Sequence, residues 1–122
     1  MAGKIVADTL EHSTAGSVTT DYVVDGSVKA WCVHTNSAGI QSDKAMNISA
    51  GTDNGTGQYT MNFINSFDGA VFATTATMFD ASNADFVVAD DPTASSIKVR
   101  IFTTSGTNRD QKGSIHVLGD LA

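Results

Sequence analysis

The reactive side chains of this chain come closest together at Cys32 and His34, which stand two residues apart. Residues at this spacing lie on one face of a β-strand, so the thiol and the imidazole can touch. A cysteine nucleophile also needs an oriented base and a donor for the developing oxyanion, and the neighbouring sequence supplies neither. We therefore interpret Cys32 as a small buried hydrophobe beside a polar strand end, with a small hydrolase as the less favoured alternative.

The histidines offer a second kind of chemistry, metal binding. His12, His34 and His116 are far apart in the sequence, whereas metal sites usually combine ligands at short spacing or place them near carboxylates. One arrangement remains open, in which His34 from each subunit meets on an oligomer axis. We favour a surface or interface histidine at a strand end instead.

Two acidic loops could bind Ca²⁺ or carry paired carboxylates. In the first, Asp80, Ser82 and Asp85 could place their oxygens near one another, but the loop lacks the glycine and the closing glutamate of a helix-loop-helix site. Glycoside hydrolysis would need one acid in an apolar pocket, and both this loop and the Asp90–Asp91 pair are short and polar. We expect solvated turns and predict no catalytic, cofactor-binding or metal-binding residue.

Composition limits the remaining function classes. The 122 residues fit one domain, with 41% hydrophobic and only 16% charged residues. A net charge of −6 would repel a phosphate backbone, which argues against nucleic-acid binding. A single cysteine excludes an intrachain disulfide, and no apolar run approaches the roughly 20 residues of a membrane helix. We expect no membrane insertion and synthesis in a cytoplasm.

The elements that must position these residues are β-strands. The glycine-rich turn at 52–57 is followed by an alternation that puts Tyr59, Met61 and Phe63 on one face of a strand. No window shows a helical period. The sequence predicts an all-β, antiparallel β-sandwich (jelly-roll-like) of about 7–8 short strands with an extended N-terminal arm. The strands that we predict after the arm are 28–35, 44–50, 58–64, 71–79, 86–89, 97–104 and 113–118.

Residues 1–27 form the predicted arm, and residues 28–122 form the predicted sandwich domain. The arm has too few large apolar residues to build a core layer, so we expect it to anchor the protein on a neighbouring subunit or another protein. The candidate assembly and anchoring residues are its apolar ones: Ile5, Val6, Leu10, Val18, Val23 and Val24.

Aromatic residues suggest a further binding site. Rings on an exposed strand face can stack on saccharides, and Tyr59 and Phe63 are better assigned to the core by their alternation. Trp31 and Tyr22 therefore remain as the candidate glycan contacts.

Several motifs occur in a fixed order along the chain. Gly26 to Trp31 reads Gly-Ser-Val-Lys-Ala-Trp, residues 54–63 read Asn-Gly-Thr-Gly-Gln-Tyr-Thr-Met-Asn-Phe, and Phe67, Ala70 and Phe72 follow. This order resembles the small β-rich modules of marine bacteriophage virion proteins, often found at the ends of tail fibres, and head decoration (knob) proteins. The resemblance covers nearly the whole chain.

The resemblance implies a non-enzymatic virion structural protein, exposed on the particle as a decoration or cement protein, a knob or a short-fibre subunit. Its partners would be itself, commonly as a homotrimer, and capsid or tail proteins. The alternative is an adhesin for host attachment, which would bind a host-surface saccharide.

Overall fold

The computed structural model of this protein describes residues 3, 6–79 and 85–122, with the backbone alone at His12 and residues 41–43. The chain is an all-β protein with antiparallel sheets and one short helix, which confirms the predicted fold class. The elements in chain order are β1 (Thr9–His12), β2 (Gly16–Thr19), α1 (Thr20–Gly26), β3 (Val28–His34), β4 (Ile40–Met46), β5 (Ile48–Asp53), β6 (Gln58–Phe63), β7 (Ala73–Met78), β8 (Asp85–Thr93), β9 (Ser96–Thr103) and β10 (Gly113–Leu118).

Two four-stranded sheets form the sandwich. The first sheet has the order β4-β3-β10-β7, and the second has the order β5-β6-β9-β8. The central strands alternate buried and partly exposed side chains, as expected when one face of a sheet is covered and the other faces solvent. The inward residues of both sheets form one core: Ala30, Cys32, Ala38, Ile48, Tyr59, Met61, Phe63, Phe67, Ile97, Val99, Ile101, Ile115 and Val117.

The predicted inward faces of the central strands are confirmed. Tyr59, Met61 and Phe63 are buried. The same alternation in 97–104 and 113–118 predicts five more inward residues, and these are buried too: Ile97, Val99, Ile101, Ile115 and Val117. The turn before β6 also forms as predicted, since the Asn54 N–H donates to the Gln58 carbonyl at 2.9 Å. Regular alternation of large apolar residues was a sufficient signal here.

The strand predicted over 44–50 is wrong, because the chain turns a corner inside it. Asn47 has a φ of 55° and separates β4 in the first sheet from β5 in the second. Its side-chain oxygen accepts the Asn65 N–H at 2.7 Å, and its amide nitrogen donates to the Asn65 carbonyl at 3.1 Å. Asparagine tolerates this left-handed conformation better than most residues, and that was the available sequence signal.

The predicted strand over 86–89 is longer in the structure. β8 runs on through Pro92 to Thr93, with an irregular register between Asp90 and Thr93. β8 lies at the edge of the second sheet, where a proline can be accommodated at a bulge without removing a central ladder bond.

The N-terminal arm, here residues 6–27, contains secondary structure that its sequence did not suggest. β1 and β2 form a small hairpin, and α1 follows directly, although no window of the sequence shows a helical period. The helix has only seven residues, which is too short for a hydrophobic period to appear in the sequence. The arm elements pack mainly on each other, β1 against β2 and β2 against α1.

Candidate functional site

The arm presents apolar side chains to solvent. Val6 is 80% exposed and Val24 is 55% exposed, and the other described candidates are also exposed: Leu10, Val18 and Val23. The candidate Ile5 lies outside the described residues. Leaving these apolar side chains in water forfeits the free energy of burial, which a contact that covered them would recover.

Helix α1 is weakly stabilised by the rest of the chain. Within the described structure it buries none of its residues, and the Thr19 side chain makes no cap hydrogen bond. Thr20 joins its first turn to the segment before β1, because its N–H donates to the Asp8 carbonyl at 3.0 Å and its Oγ1 donates to the Ala7 carbonyl at 2.8 Å. Isolated helices shorter than about 12–15 residues are marginal in water, so a contact with another surface would stabilise α1.

The junction between arm and sandwich is short and defined. α1 ends at Gly26 and β3 begins at Val28, so Ser27 alone connects them, in an extended conformation. The Lys29 ammonium donates to the carbonyls of Val24 and Ser27, which fixes this connection.

Next to this junction, two carboxylates of the same charge approach each other. Asp25, in the last turn of α1, lies beside Asp120 near the C-terminus, and the neighbouring Asp120 carboxylate raises the pKa of Asp25. This contact places the end of α1 beside the C-terminal segment of its own chain.

Cys32 and His34 both point into the core, and both are fully buried. Burial raises the pKa of the Cys32 thiol to about 12, so the thiol stays protonated at neutral pH and is a poor nucleophile. The interpretation of Cys32 as a buried hydrophobe is confirmed.

The prediction of a surface or interface His34 is wrong, and so is the shared metal site on an oligomer axis. The ring lies inside the sandwich, 5.3 Å from the Tyr59 ring between centroids, and its Nδ1 donates to the Thr35 carbonyl at 3.0 Å. Its space comes from Gly113, where a Cβ atom would lie 2.9 Å from His34 Nε2. Burial lowers the pKa of His34, and the hydrogen bond to Thr35 partly opposes this.

A polar cluster closes this end of the core, and sequence reasoning missed it. The Tyr59 hydroxyl donates to Asp110 Oδ1 at 2.9 Å, and the same oxygen accepts the Gly57 N–H at 2.6 Å. Burial and the Asp110 carboxylate raise the pKa of Tyr59. The partners come from the turn before β6 and from the segment before β10, so their 51-residue separation hides the contact in the sequence.

The acidic residues act as ion-pair partners. Asp85 Oδ2 lies 3.4 Å from Arg109 Nη1. Asp90 and Asp91 on β8 pair with Arg100 and Lys98 on β9, respectively. The Arg100 guanidinium, which donates to Asp90, lowers the pKa of that carboxyl. The other predicted calcium ligands, Asp80 and Ser82, lie outside the described residues. Among residues 3, 6–79 and 85–122, no group of three or more His, Cys, Asp or Glu side chains could hold a metal ion.

The two candidate glycan contacts lie in different places. Tyr22 is 73% exposed and lines an open cleft of about 570 Å³ on α1, together with Thr19, Asp21, Asp25 and Gly26. Trp31 is half-buried on the outer face of the first sheet, where it is paired with Met46 on β4 and His116 on β10.

We call the outer face of the first sheet around Trp31 the basic face. Alternation and register assign to it Lys29, Trp31, Val33, Lys44, Met46, His116 and Leu118. Among the side chains that the structure describes on this face, none is acidic. A largely apolar surface with cationic edges is therefore available on the sandwich.

Comparisons with known proteins give no indication of function, so the inference of function rests on the structure. No protein-family model, curated protein or solved structure matches this chain. In the part of the chain that the structure describes, no helix is long and apolar enough to cross a membrane.

Proposed function

We propose that this protein is a non-enzymatic structural component of a bacteriophage virion, a decoration or cement protein, a knob or a short-fibre subunit, that associates through its N-terminal arm. One observation carries the proposal: the arm exposes apolar side chains, while the sandwich buries a complete core without them. Exposed apolar side chains outside a complete core are typical of a surface that binds another protein.

The interior of the sandwich supports a structural role. The thiol of Cys32 and the imidazole of His34 are enclosed in the core, out of reach of a substrate. The acidic side chains of Asp85, Asp90 and Asp91 are engaged with cations. These groups stabilise the folded sandwich, which is the role expected of them in a rigid scaffold. The order of motifs that resembles phage modules is consistent with such a scaffold.

The proposed mechanism is the burial of the arm on a neighbour. Leu10, Val18 and Val24 would leave water in the assembled state, at about 25 cal/mol per Å² of apolar surface. The contact would also stabilise α1, which is marginal alone. A stable interface of this kind buries on the order of 1,200–2,000 Å² in total. The neighbour is a second copy, as in the homotrimers common among such proteins, or a capsid or tail protein.

Deletion of residues 2–20 tests the anchoring role. We expect the truncated chain to fold and to be lost from purified particles, while the full chain is retained. Mass measurement of the full chain in solution gives its oligomeric state. Undiminished incorporation of the truncated chain would contradict the proposed role of the arm.

A glycan-binding adhesin is the second candidate, and the cleft on α1 is the observation in its favour. Tyr22 offers a ring for stacking, and the carboxylates of Asp21 and Asp25 can accept hydrogen bonds from sugar hydroxyls. Binding on a glycan array should be lost in Tyr22→Ala and kept in Trp31→Ala, because only Tyr22 lines the cleft. Equal binding by Tyr22→Ala and the unchanged chain would reject this candidate.

A further inference from the structure

We propose that β7 is the open edge of the sandwich and that it pairs with β7 of a second copy, in antiparallel orientation about a two-fold axis at Ala76. This contact goes beyond the proposed function, because it uses the sandwich and not the arm. Three features of β7 support it: its lack of edge protection, its backbone direction and the apolar side chains at its ends.

Within the described residues the two sheets end in the edge strands β4, β7, β5 and β8, and all but β7 carry features that hinder pairing with another chain. β4 and β5 have irregular registers with their neighbours, and β5 contains Gly51. β8 has charged side chains, Pro92 and an irregular register after Asp90. Bulges, prolines and charges are the usual means by which proteins protect sheet edges.

β7 has none of these features. Its sequence is Ala-Thr-Thr-Ala-Thr-Met, and its register with β10 is regular from Ala73 to Met78. Among the strands that the structure describes, only β10 is hydrogen-bonded to it, while β8 contacts it from the other sheet without pairing. Residues 69–79 carry no charged side chain, so two copies of a chain with net charge −6 can join this segment without placing like charges opposite each other.

The backbone of β7 presents hydrogen-bonding groups to its free edge. The Phe79 N–H donates to the Lys112 carbonyl at 3.1 Å, in continuation of the register between β7 and β10. Because hydrogen-bonded and non-hydrogen-bonded residues alternate along an antiparallel pair, Thr75 and Thr77 bond to β10 as Phe79 does. The residues between them direct their N–H and carbonyl groups away from β10: Thr74, Ala76 and Met78.

These outward residues are arranged for self-pairing. They are centred on Ala76, so a two-fold axis there places Thr74 opposite Met78 of the second copy, and each such pair exchanges two backbone hydrogen bonds. Between them, Thr75 lies opposite Thr77 of the second copy, on the outer face where both side chains are exposed. Facing threonines are favourable cross-strand pairs.

The ends of β7 favour a second copy over an unrelated strand. Val71, two residues before the strand, is 95% exposed, and Phe79, directly after it, is 58% exposed. The same two-fold axis places Phe79 opposite Ala73 of the second copy and near its Val71. Self-pairing therefore covers exposed apolar side chains at both ends, because antiparallel pairing brings the start of one strand to the end of the other.

Disulfide trapping with the full chain tests the register. Thr75→Cys is mixed with a tagged Thr77→Cys variant under mild oxidation, and the linked dimers are separated by mass. Residues opposite each other in a non-hydrogen-bonded pair have Cα atoms about 4.5 Å apart, which permits a disulfide. The matched control is Thr52→Cys, an exposed position on β5 at the edge of the second sheet. Cys32 is retained in every variant because it is buried.

We expect Thr75→Cys to link to Thr77→Cys in preference to Thr52→Cys. Equal linking to both positions would show random collision and overturn the proposed contact. Preferential linking of Thr75→Cys or Thr77→Cys to itself would overturn the antiparallel register about Ala76.

Charge substitution on β7 gives a second measurement, the self-association constant from sedimentation. The pair Thr75→Lys and Thr77→Lys in one chain should weaken self-association about tenfold, because like charges then face each other across the axis. An equimolar mixture with the chain that carries Thr75→Glu and Thr77→Glu should restore association. The matched control, Ala50→Lys with Thr52→Lys on β5, adds the same charge to another exposed strand edge.

Equal weakening by the two lysine pairs would overturn the contact, and so would a mixture that fails to associate. An unchanged chain that stays monomeric at every concentration would overturn it as well. Urea unfolding of each variant establishes that the sandwich is folded in all of these measurements.

Amide exchange read residue by residue identifies what covers the edge. In a dilution series the N–H groups of Thr74, Ala76 and Met78 should gain protection only where copies associate, while those of Thr75 and Thr77 stay protected by β10 throughout. Protection of the outward groups at every dilution would show that the chain's own residues cover the edge, which would overturn the inference. Association without protection of these groups would place the contact elsewhere and would overturn it too.

These outcomes are separate from those of the arm deletion. If the β7 tests fail and the deletion removes the chain from particles, the strand contact is wrong and the proposed function stands. If the β7 tests succeed and the deletion leaves incorporation unchanged, the proposed role of the arm fails and the strand contact stands.

Discussion

Single residues hold the end of the sandwich that contains Tyr59 and Asp110. Gly57 has a φ of 66°, and a Cβ atom there would clash with the Ile101 carbonyl oxygen and lie 2.6 Å from the Arg109 nitrogen. Its backbone also donates to Asp110 and accepts from the Ile101 N–H at 2.8 Å. At this position the absence of a side chain allows a loop, a turn and a strand to meet.

Gly57→Ala should destabilise the protein by about 3 kcal/mol or more, because backbone crowding adds to the strain of a positive φ. Gly55→Ala is the control, since Gly55 has a φ of 112° but empty space around it. Its cost should be about 1–2 kcal/mol, from strain alone. Urea unfolding of both variants measures the difference, and equal costs would show that crowding at Gly57 is relieved by local movement.

His34 makes the stability of the protein depend on pH. Burial lowers its pKa in the folded state, so in acid the unfolded state binds the proton first. Stability should therefore fall as the pH drops below about 6.5, by up to roughly 1.4 kcal/mol per pH unit from this one group. The loss ends once the pH is below the folded-state pKa.

The variant His34→Gln should flatten this dependence, measured as the free energy of unfolding at several pH values above the carboxylate range. His116→Gln is the matched control, because it removes an exposed imidazole from the outer face and leaves the buried ring in place. If His116→Gln flattens the curve and His34→Gln does not, the buried ring is not the group responsible.

At the scale of elements, the corner between β4 and β5 lets one stretch of chain serve both sheets. The chain passes from the first sheet to the second at Asn47, without a loop. The corner is held by hydrogen bonds to Asn65 and by the Ile64 N–H, which donates to the Asn47 carbonyl at 3.1 Å. The corner therefore depends both on the left-handed backbone conformation of Asn47 and on the hydrogen bonds of its side chain.

Asn47→Ala should lose both contributions, about 1 kcal/mol or more for the left-handed conformation and about 1–2 kcal/mol for the hydrogen bonds. Asn47→Gly keeps the conformation accessible and loses only the hydrogen bonds, so it should be the less destabilised variant. Thermal and urea unfolding of the pair separate the two causes. A glycine variant as unstable as the alanine variant would assign the whole effect to the Asn65 contacts.

At the scale of the whole molecule, stability is divided unevenly between sandwich and arm. The sandwich has one continuous core between its sheets, and the arm elements pack mainly on each other. Segments with few buried contacts open locally at low free energy, while the central strands open only with global unfolding. This division fits the proposed function, in which the core is a scaffold and the arm binds a neighbour.

Hydrogen exchange should show this division directly. In dilute solution, amides of β2 and α1 should exchange far faster than those of β6 and β9. At concentrations where copies associate, protection should rise in the arm, because docking stabilises the helix and the hairpin. Arm protection equal to that of β9 in the monomer would contradict the independence of the arm.

The sequence by itself determined the fold class and the faces of the central strands. Alternation at 58–63 and 97–101 predicted which residues are buried, because one covered face imposes a period of two on any strand. It also determined that Cys32 belongs to the core and that apolar residues before Gly26 stand outside it. These are local patterns, and local patterns can be read along a chain.

The tertiary structure alone decided what depends on distant residues meeting. The burial of His34 follows from Gly113 lying opposite it, and the hydrogen bond between Tyr59 and Asp110 joins residues that are 51 positions apart in the sequence. The basic face likewise exists only because the register places Trp31 beside Met46 and His116. Such contacts are set by strand pairing and sheet packing, which bring together residues that share no local pattern.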